Sequence, residues 1–196
     1  MRRTLSALAL VATAAAVAPN AAEAQLSDTC WLARGTPAEA MARPSPKTSL
    51  EFTLGGQTAT LCYGAPSVRG RTMFGDTEPY GTAWRMGADE ATALHLPFGG
   101  DIGGVEVEAG TYSLMAVPGE ESFEIIVNSV SERWGVPITP DVRANDIGSF
   151  TRSVTTLDEP VEQLTYSFEP HGEMMGHIVM EWQNTRVEIP VHRGMM

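Results

Sequence analysis

The residues best suited to chemistry lie in one stretch, residues 66–92, between two runs of alternating apolar residues. It holds cations, aromatic rings and carboxylates that could line a pocket: Arg69, Arg71, Tyr80, Trp84, Arg85, Asp89 and Glu90. Arginine binds carboxylates and phosphates, and an aromatic side chain can stack on a ring. These residues therefore predict an ordered, partly buried loop that binds a small anionic or ring-containing ligand.

Two other interpretations of this stretch stay open. In a structural one, Arg85 pairs with Glu90 while Trp84 packs into the core. In a catalytic one, Asp89 or Glu90 is the acid–base group of a hydrolase-type enzyme. The sequence contains no GxSxG, HExxH, phosphate-loop or GxGxxG motif. We therefore assign no catalytic residue and no cofactor, and expect a protein that is not an enzyme.

A second group of ligand-type side chains lies between two predicted strands, in the run HGEMMGH. Its imidazoles and thioethers belong to His171, Met174, Met175 and His177. Such ligands suit copper, and a periplasmic copper-handling protein is the function they would imply. The glycines of this run instead favour a polar hairpin tip that must be ordered before it can close on a metal. We expect the four side chains to face solvent and to form no tight metal site.

The N-terminus predicts export. Residues 1–24 combine a short basic start, an apolar run and a small-x-small cleavage site ending at Ala24, so the mature chain would begin near Gln25. This predicts a bacterial periplasmic or secreted protein. Cys30 and Cys62 are the two cysteines of the chain, and an oxidising compartment favours a bond between them. A metal pair or two free thiols are the alternatives.

Charge narrows the range of partners. The net charge is −11, so the chain should repel nucleic acid and anionic lipid headgroups. We expect neither nucleic acid binding nor membrane insertion once the signal peptide is cleaved. The partner would be a small molecule or a cell-envelope protein, and in the second case the chain would serve as an interaction or scaffold protein.

Hydrophobic periodicity predicts the fold class. After an N-terminal arm at residues 25–47, apolar residues alternate with polar ones through eight to ten short segments, and no helical stripe is evident. Leu61 and Tyr63 share one face of a strand, which puts Cys62 on the opposite, outer face. Residues 48–196 are thus predicted to form a single antiparallel β-sandwich, with a closed β-barrel as the second choice.

Five blocks of sequence resemble one bacterial family, domain of unknown function 2911. They are PSVRGRTMFG, PYGTAWRMGADEAT, GGVEVEAGTYSLMAVPGE, RWG and MEWQNTRVEIPV, in the family's order. The resemblance extends from about Thr48 to Val191 and implies an exported all-β domain whose biochemical role is not established. One departure is Asp89, where the family usually has asparagine. An amide donor at this position would be lost here unless the carboxyl is protonated.

Overall fold

The computed structural model describes residues 26–194, and the predicted signal peptide lies outside this range. Two short helices, α1 (Pro37–Met41) and α2 (Pro140–Arg143), accompany ten strands. The strands are β1 (Lys47–Leu54), β2 (Gln57–Gly64), β3 (Thr92–Leu96), β4 (Gly100–Ile102), β5 (Val105–Val107), β6 (Gly110–Pro118), β7 (Ser122–Asn128), β8 (Asp146–Ser153), β9 (Thr155–Pro170) and β10 (Met175–Arg193). No helix within residues 26–194 is long and apolar enough to cross a membrane.

The strands form two antiparallel sheets, so the predicted sandwich is confirmed over a closed barrel. The larger sheet has the order β1-β2-β3-β6-β7-β8 and the smaller one β5-β4-β10-β9. Alternate residues of each strand enter the core between the sheets, as the period-two pattern requires. Leu61 and Leu94 do so from the large sheet, and Ile178 and Ile189 from the small one. Each of these four side chains is fully buried.

Strand β10 folds back on itself. The backbone N–H of Arg193, at its end, donates to the carbonyl of Met174, just before its start, at 2.8 Å. A straight strand of this length would separate these residues by tens of ångströms. The reversal falls at Gln183, whose φ is 53°. Residues 183–185, Gln-Asn-Thr, are of types that favour a tight turn, in agreement with this reversal.

The N-terminal arm lies against the outer face of the large sheet and is tied there by a disulfide. Cys30 and Cys62 are bonded with their Cα atoms 5.5 Å apart, which confirms the predicted pairing. Ala59, Leu61 and Tyr63 of β2 enter the core, and Cys62 between them faces outward. Cys62 is nevertheless only 3% exposed. The arm therefore covers part of the outer face of β2, which the alternation of apolar and polar residues would lead one to expect to be exposed.

Helix α1 and strand β4 were not predicted, whereas a helical turn was expected within residues 131–149, where α2 lies. Helix α1 begins after Thr36, whose side chain and Glu39 form a reciprocal capping box, with proline in the first turn. This signal is present in the sequence TPAE and overrides the irregular composition of the arm. Helix α2 also begins after a threonine N-cap, Thr139, with proline in its first turn but without a capping box. Strand β4 occupies a glycine-rich segment interpreted as a turn, because its pairing with β10 supplies the order that its composition does not.

Candidate functional site

The loop of residues 66–92 closes one end of the sandwich and contributes to the core. The loop residues that belong to the core cluster are Val68, Met73, Phe74, Trp84 and Met86. Trp84 also forms a β-bridge with Ala116 of β6, through hydrogen bonds of 2.7 and 2.8 Å. The expectation of an ordered, partly buried loop is therefore correct. Its polar side chains lie in distinct surroundings.

Trp84 has a structural position. It is 2% exposed, its ring stacks on Trp182 at a centroid distance of 5.7 Å, and its edge meets Phe74 at 5.3 Å. A ring already stacked inside the core has no free face for a ligand. Tyr80, by contrast, is 47% exposed and packs beside Gly75 at the end of the loop. Of the two aromatic candidates, Tyr80 alone is accessible.

Arg69 and Arg71 hold the loop backbone. Nη2 of Arg69 donates to the carbonyl of Pro44 at 2.8 Å, which joins the loop to the arm. Arg71 donates from Nε to the carbonyl of Val68 at 3.0 Å and from Nη2 to that of Ser67 at 2.8 Å. An open cleft of about 570 Å³ lies beside Arg71, between the loop and the turn at residue 183. The guanidinium groups of Arg69 and Arg71, which were expected to bind an anionic ligand, thus donate to backbone carbonyl groups instead.

Glu90 pairs with Arg43 of the arm, so the predicted Arg85–Glu90 pair is wrong. Nη1 of Arg43 lies 3.0 and 2.9 Å from the two carboxylate oxygens, and Nζ of Lys47 lies 3.7 Å from one of them. The backbone N–H of Ala33 also donates to Glu90 at 3.2 Å. Glu90 is 1% exposed. A buried carboxylate needs such partners, and residues 25–47 supply all three of them.

The surroundings of Glu90 favour its charged form. Burial raises its pKa, but the hydrogen bonds from Arg43, the charge of Lys47 and the backbone N–H groups outweigh that effect, so the pKa lies below its ordinary value. Burial lowers the pKa of Lys47, and the charge of Glu90 offsets this only in part. Glu90, Arg43 and Lys47 thus form a cluster of ion pairs that anchors the arm to the loop. Its geometry disfavours Glu90 as an acid–base catalyst, because Arg43 occupies both oxygens.

Asp89 lies at a position that suits asparagine or aspartate. Its φ is 61°, in the left-handed region where these are the best-tolerated residues after glycine. Its carboxylate lies 3.6 Å from Arg43, and its carbonyl accepts the N–H of Gly135 at 2.8 Å. The departure from the family's asparagine therefore keeps the backbone conformation. The carboxylate adds a second acidic partner for Arg43.

Arg85 lies beside a second arginine, Arg133, which the sequence analysis did not include in the site. Nη1 of Arg133 donates to the carbonyl of Gly135 at 3.0 Å, and Nη2 lies 3.3 Å from the sulfur of Met115. The stem of Arg85 packs so closely on Gly135 that a Cβ there would lie 2.1 Å from its Cδ. The stem of Arg85 and the guanidinium of Arg133 thus meet at Gly135, and the charge of Arg85 is close enough to act on Arg133.

Neither of these arginines has a carboxylate partner. Within residues 26–194, no ion pair includes Arg85 or Arg133, and the buried Nε of each has no hydrogen-bond acceptor. Burial lowers the pKa of Arg85, and burial together with the charge of Arg85 lowers the pKa of Arg133. Burial raises the pKa of Glu78, a nearby carboxyl, against the charges of Arg85 and Arg71. The charges of Glu78 and Asp89 act in the opposite direction on Arg85, and that of Asp146 does so on Arg133, so nearby carboxylates influence both cations without bonding to either.

A larger cleft than the one beside Arg71 lies elsewhere. It has a volume of about 800 Å³ and opens between the β3–β4 turn, strand β5 and the end of β10. Its charged lining residues are Asp101, Glu106, Glu108 and Arg193. Asp101 is bound to His192, and Arg193 lies over the ring of Phe98 at 5.7 Å. None of the sequence-predicted site residues lies in this cleft.

The histidine- and methionine-containing loop is more ordered than expected. His171 and Met175 are exposed, but Met174 and His177 are half-buried, so the prediction of four solvent-facing side chains is wrong for two of them. The rings of His171 and His177 lie with centroids 4.3 Å apart. Within the described range, no three His, Cys, Asp or Glu side chains are grouped to hold a metal ion.

Arg43 and Arg133 are the site residues that sequence reasoning missed. Arg43 is separated from Glu90 by 47 residues, and no local pattern announces such a pairing. Arg133 could have been proposed from the sequence, because it is the first residue of the RWG block, which is part of the family resemblance. Trp134 of the same block forms a bridge with Glu90 and lies beneath the guanidinium of Arg34 at 4.5 Å. The arm, the loop and the RWG block therefore converge on one region.

Comparison with known proteins agrees with the resemblance. No curated protein and no solved structure is detectably similar to the chain. A family described as a protein of unknown function (DUF2911) matches residues 45–191, which include both sheets, the 66–92 loop and the RWG block. This match spans most of the chain, and the protein belongs to the DUF2911 family.

Proposed function

We propose that this protein is an exported binding domain that holds a small anionic ligand between Arg85 and Arg133. The observation that carries the proposal is that two arginines pack together around Gly135, each with a buried Nε that has no hydrogen-bond acceptor and neither in an ion pair among the described residues. Two adjacent cations destabilise each other unless an anion lies between them. A carboxylate or phosphate would accept hydrogen bonds from both groups and relieve that repulsion.

The net charge of −11 makes this pair unusual. In an acidic protein, an arginine meets carboxylates easily, and Arg43, Arg143 and Arg186 all form ion pairs. Arg85 and Arg133 are kept from them by their packing on Gly135. The side chains are also partly ordered in advance, which lowers the entropy cost of binding. Both properties support a recognition role over a purely structural one.

The disulfide supports export. Disulfides persist in oxidising compartments, and Cys30–Cys62 fastens the arm that brings Arg34 and Arg43 to this region. A periplasmic or secreted location would also expose the site to envelope metabolites that carry carboxylate or phosphate groups. The predicted signal peptide is tested directly by N-terminal sequencing of the protein after expression in a bacterium with a periplasm. A mature start near Gln25 is the expected result.

Binding is tested by NMR titration of the arginine Nε–H signals with inorganic phosphate and with acetate. We expect the Nε–H signals of Arg85 and Arg133 to move together and to saturate. Arg85→Gln and Arg133→Gln should each abolish the saturation. Arg152→Gln is the matched control, because Arg152 donates to the carbonyl of Glu188 on another part of the sandwich and should leave the titration unchanged.

Glu78 supplies a test of opposite sign. Its carboxylate competes electrostatically with a bound anion, so Glu78→Gln should strengthen phosphate binding. Because burial raises the pKa of Glu78, acidification should remove its charge and strengthen binding in the same direction. The proposal is wrong if neither anion moves the two Nε–H signals, or if the Arg152 control weakens binding as much as the other two variants do.

A further inference from the structure

The outer face of the small sheet brings together two imidazoles and one thioether. Glu169 of β9 pairs with His177 of β10, and the N–H of His171 donates to the carbonyl of Met175 at 3.0 Å, which extends the same register. Cross-strand partners share a face, and so do residues two apart along a strand. His171, Met175 and His177 therefore lie on one face, opposite the core residue Ile178.

Contacts agree with this register. The ring centroids of His171 and His177 are 4.3 Å apart, a contact that the aromatic side chains of diagonal neighbours on one face can reach. Met175 is 37% exposed, so its thioether is accessible from solvent. Met174 differs, since its carbonyl accepts the N–H of Arg193 at 2.8 Å and its sulfur packs beside Gly55. The structure thus separates the two adjacent methionines.

One imidazole is already oriented for a ligand. Nδ1 of His177 lies 3.0 Å from a carboxylate oxygen of Glu188, and because an ionised carboxylate only accepts, Nδ1 carries the proton. In the neutral imidazole the lone pair is then on Nε2. Arg186 holds the other oxygen of Glu188 at 3.0 Å. A carboxylate that fixes a histidine through its second nitrogen is the usual support of a metal-binding histidine.

The ligand set indicates which ion would fit. Imidazole nitrogen with thioether sulfur is a soft set that selects Cu(I). Zinc would need a third histidine, cysteine or carboxylate ligand, and the carboxylates nearby, Glu169 and Glu188, are already bound by Arg186. The surroundings also favour a cation. Three carboxylates, those of Glu169, Glu181 and Glu188, surround the single guanidinium of Arg186, so the cluster is negative as a whole.

We propose that His171, Met175 and His177 form a Cu(I) site, with Glu188 as the residue that positions His177. This site lies apart from the Arg85–Arg133 pair and does not depend on the anion-binding function. The proposal reverses the expectation of a metal-free hairpin tip. The pairing of the two strands already holds the three ligand side chains on one face. Folding therefore orders most of the site before the metal binds, and the entropy cost that weakens binding by a mobile loop is small here.

The first experiment is an anaerobic titration of the disulfide-intact protein with Cu(I), in competition with a chromogenic Cu(I) chelator. We expect one ion per chain. Met175→Leu removes the thioether at similar volume, and His177→Asn keeps a donor for Glu188 while removing the ligand nitrogen. Each should lower the affinity at least about tenfold, since each deletes one of three ligands. Met174→Leu is the matched control and should leave the affinity unchanged.

Two further measurements separate this site from adventitious binding. Glu188→Gln should lower the affinity by about tenfold or more while leaving the three ligands in place. With methyl-labelled methionine and Ag(I) as the redox-inert probe, the methyl signal of Met175 should move and that of Met174 should not. No stoichiometric binding, or an equal loss in the Met174 and Met175 variants, would overturn the proposal.

Discussion

Removal of Arg43 should unfold this protein more readily than removal of any exposed arginine. Arg43→Ala deletes the group that contacts both oxygens of Glu90, and the carboxylate left behind is 1% exposed. Loss of one partner of a buried pair typically costs 3–5 kcal/mol. Lys47 stays 3.7 Å from Glu90 and compensates in part, so we expect a loss of about 3 kcal/mol. For a chain of this size that corresponds to a fall in Tm of about 6–12 °C.

The pH dependence of this loss identifies its cause. In the wild type the partners of Glu90 hold its pKa below the ordinary value, so its stabilising contribution is present above the unfolded-state pKa and is lost as the pH falls through the folded-state pKa. In Arg43→Ala, burial dominates and should raise the pKa of Glu90 above the unfolded value. As the pH falls and Glu90 becomes protonated, the stability of the variant then approaches that of the wild type. The difference in Tm should be large at about pH 7 and small near pH 4.

The assay is thermal unfolding followed by circular dichroism at several pH values, with the disulfide intact. Arg143→Ala is the control, because its ion pair with Asp146 is partly exposed and should contribute less than about 1 kcal/mol. Arg43→Ala melting within about 2 °C of wild type at neutral pH would refute the assignment of Glu90 as a buried anchor. A penalty that does not shrink in acid would refute the electrostatic explanation.

Three other substitutions test the architecture. Replacing Cys30 and Cys62 together by alanine opens a loop of sequence separation 32 and should lower the unfolding free energy by about 3–4 kcal/mol, measured by urea denaturation without reductant. Tyr166→Phe removes the hydroxyl that donates to the carbonyl of Met86 at 2.8 Å, and a loss of about 1–3 kcal/mol in the same assay is expected because that carbonyl stays buried. Gly135→Ala should weaken phosphate binding in the NMR titration, since a Cβ would displace the stem of Arg85; unchanged binding would show that the close packing is not needed.

Local alternation was sufficient to predict most strands of the sandwich. The alternation of Leu50, Phe52 and Leu54 indicates a strand within five positions. The turn-forming residues that begin at Gln183 indicate where strand β10 reverses. The same logic placed Cys62 on the outer face and the arm over it. Strand β4 was missed because pairing, not composition, orders it.

The candidate site was less predictable, because it depends on contacts between distant segments. The arginines of the 66–92 loop look equivalent in sequence, yet Arg69 and Arg71 bind backbone carbonyls and Arg85 does not. The difference arises from Gly135, about fifty positions away. Glu90 takes its partner from a segment interpreted as an irregular arm. Period and spacing carry no information about such pairings.

The position of the arm has a consequence for the order in which the chain can assemble. Ala33 and Arg43 are synthesised early, but their common partner is Glu90, and the neighbouring bridge of Glu90 needs Trp134. During synthesis from the N-terminus, the arm therefore cannot dock until the chain has been made at least as far as Glu90, and its surroundings are complete only after Trp134. Until then the outer face of the large sheet stays open to solvent, and a chaperone could recognise a chain whose beginning is not yet in place.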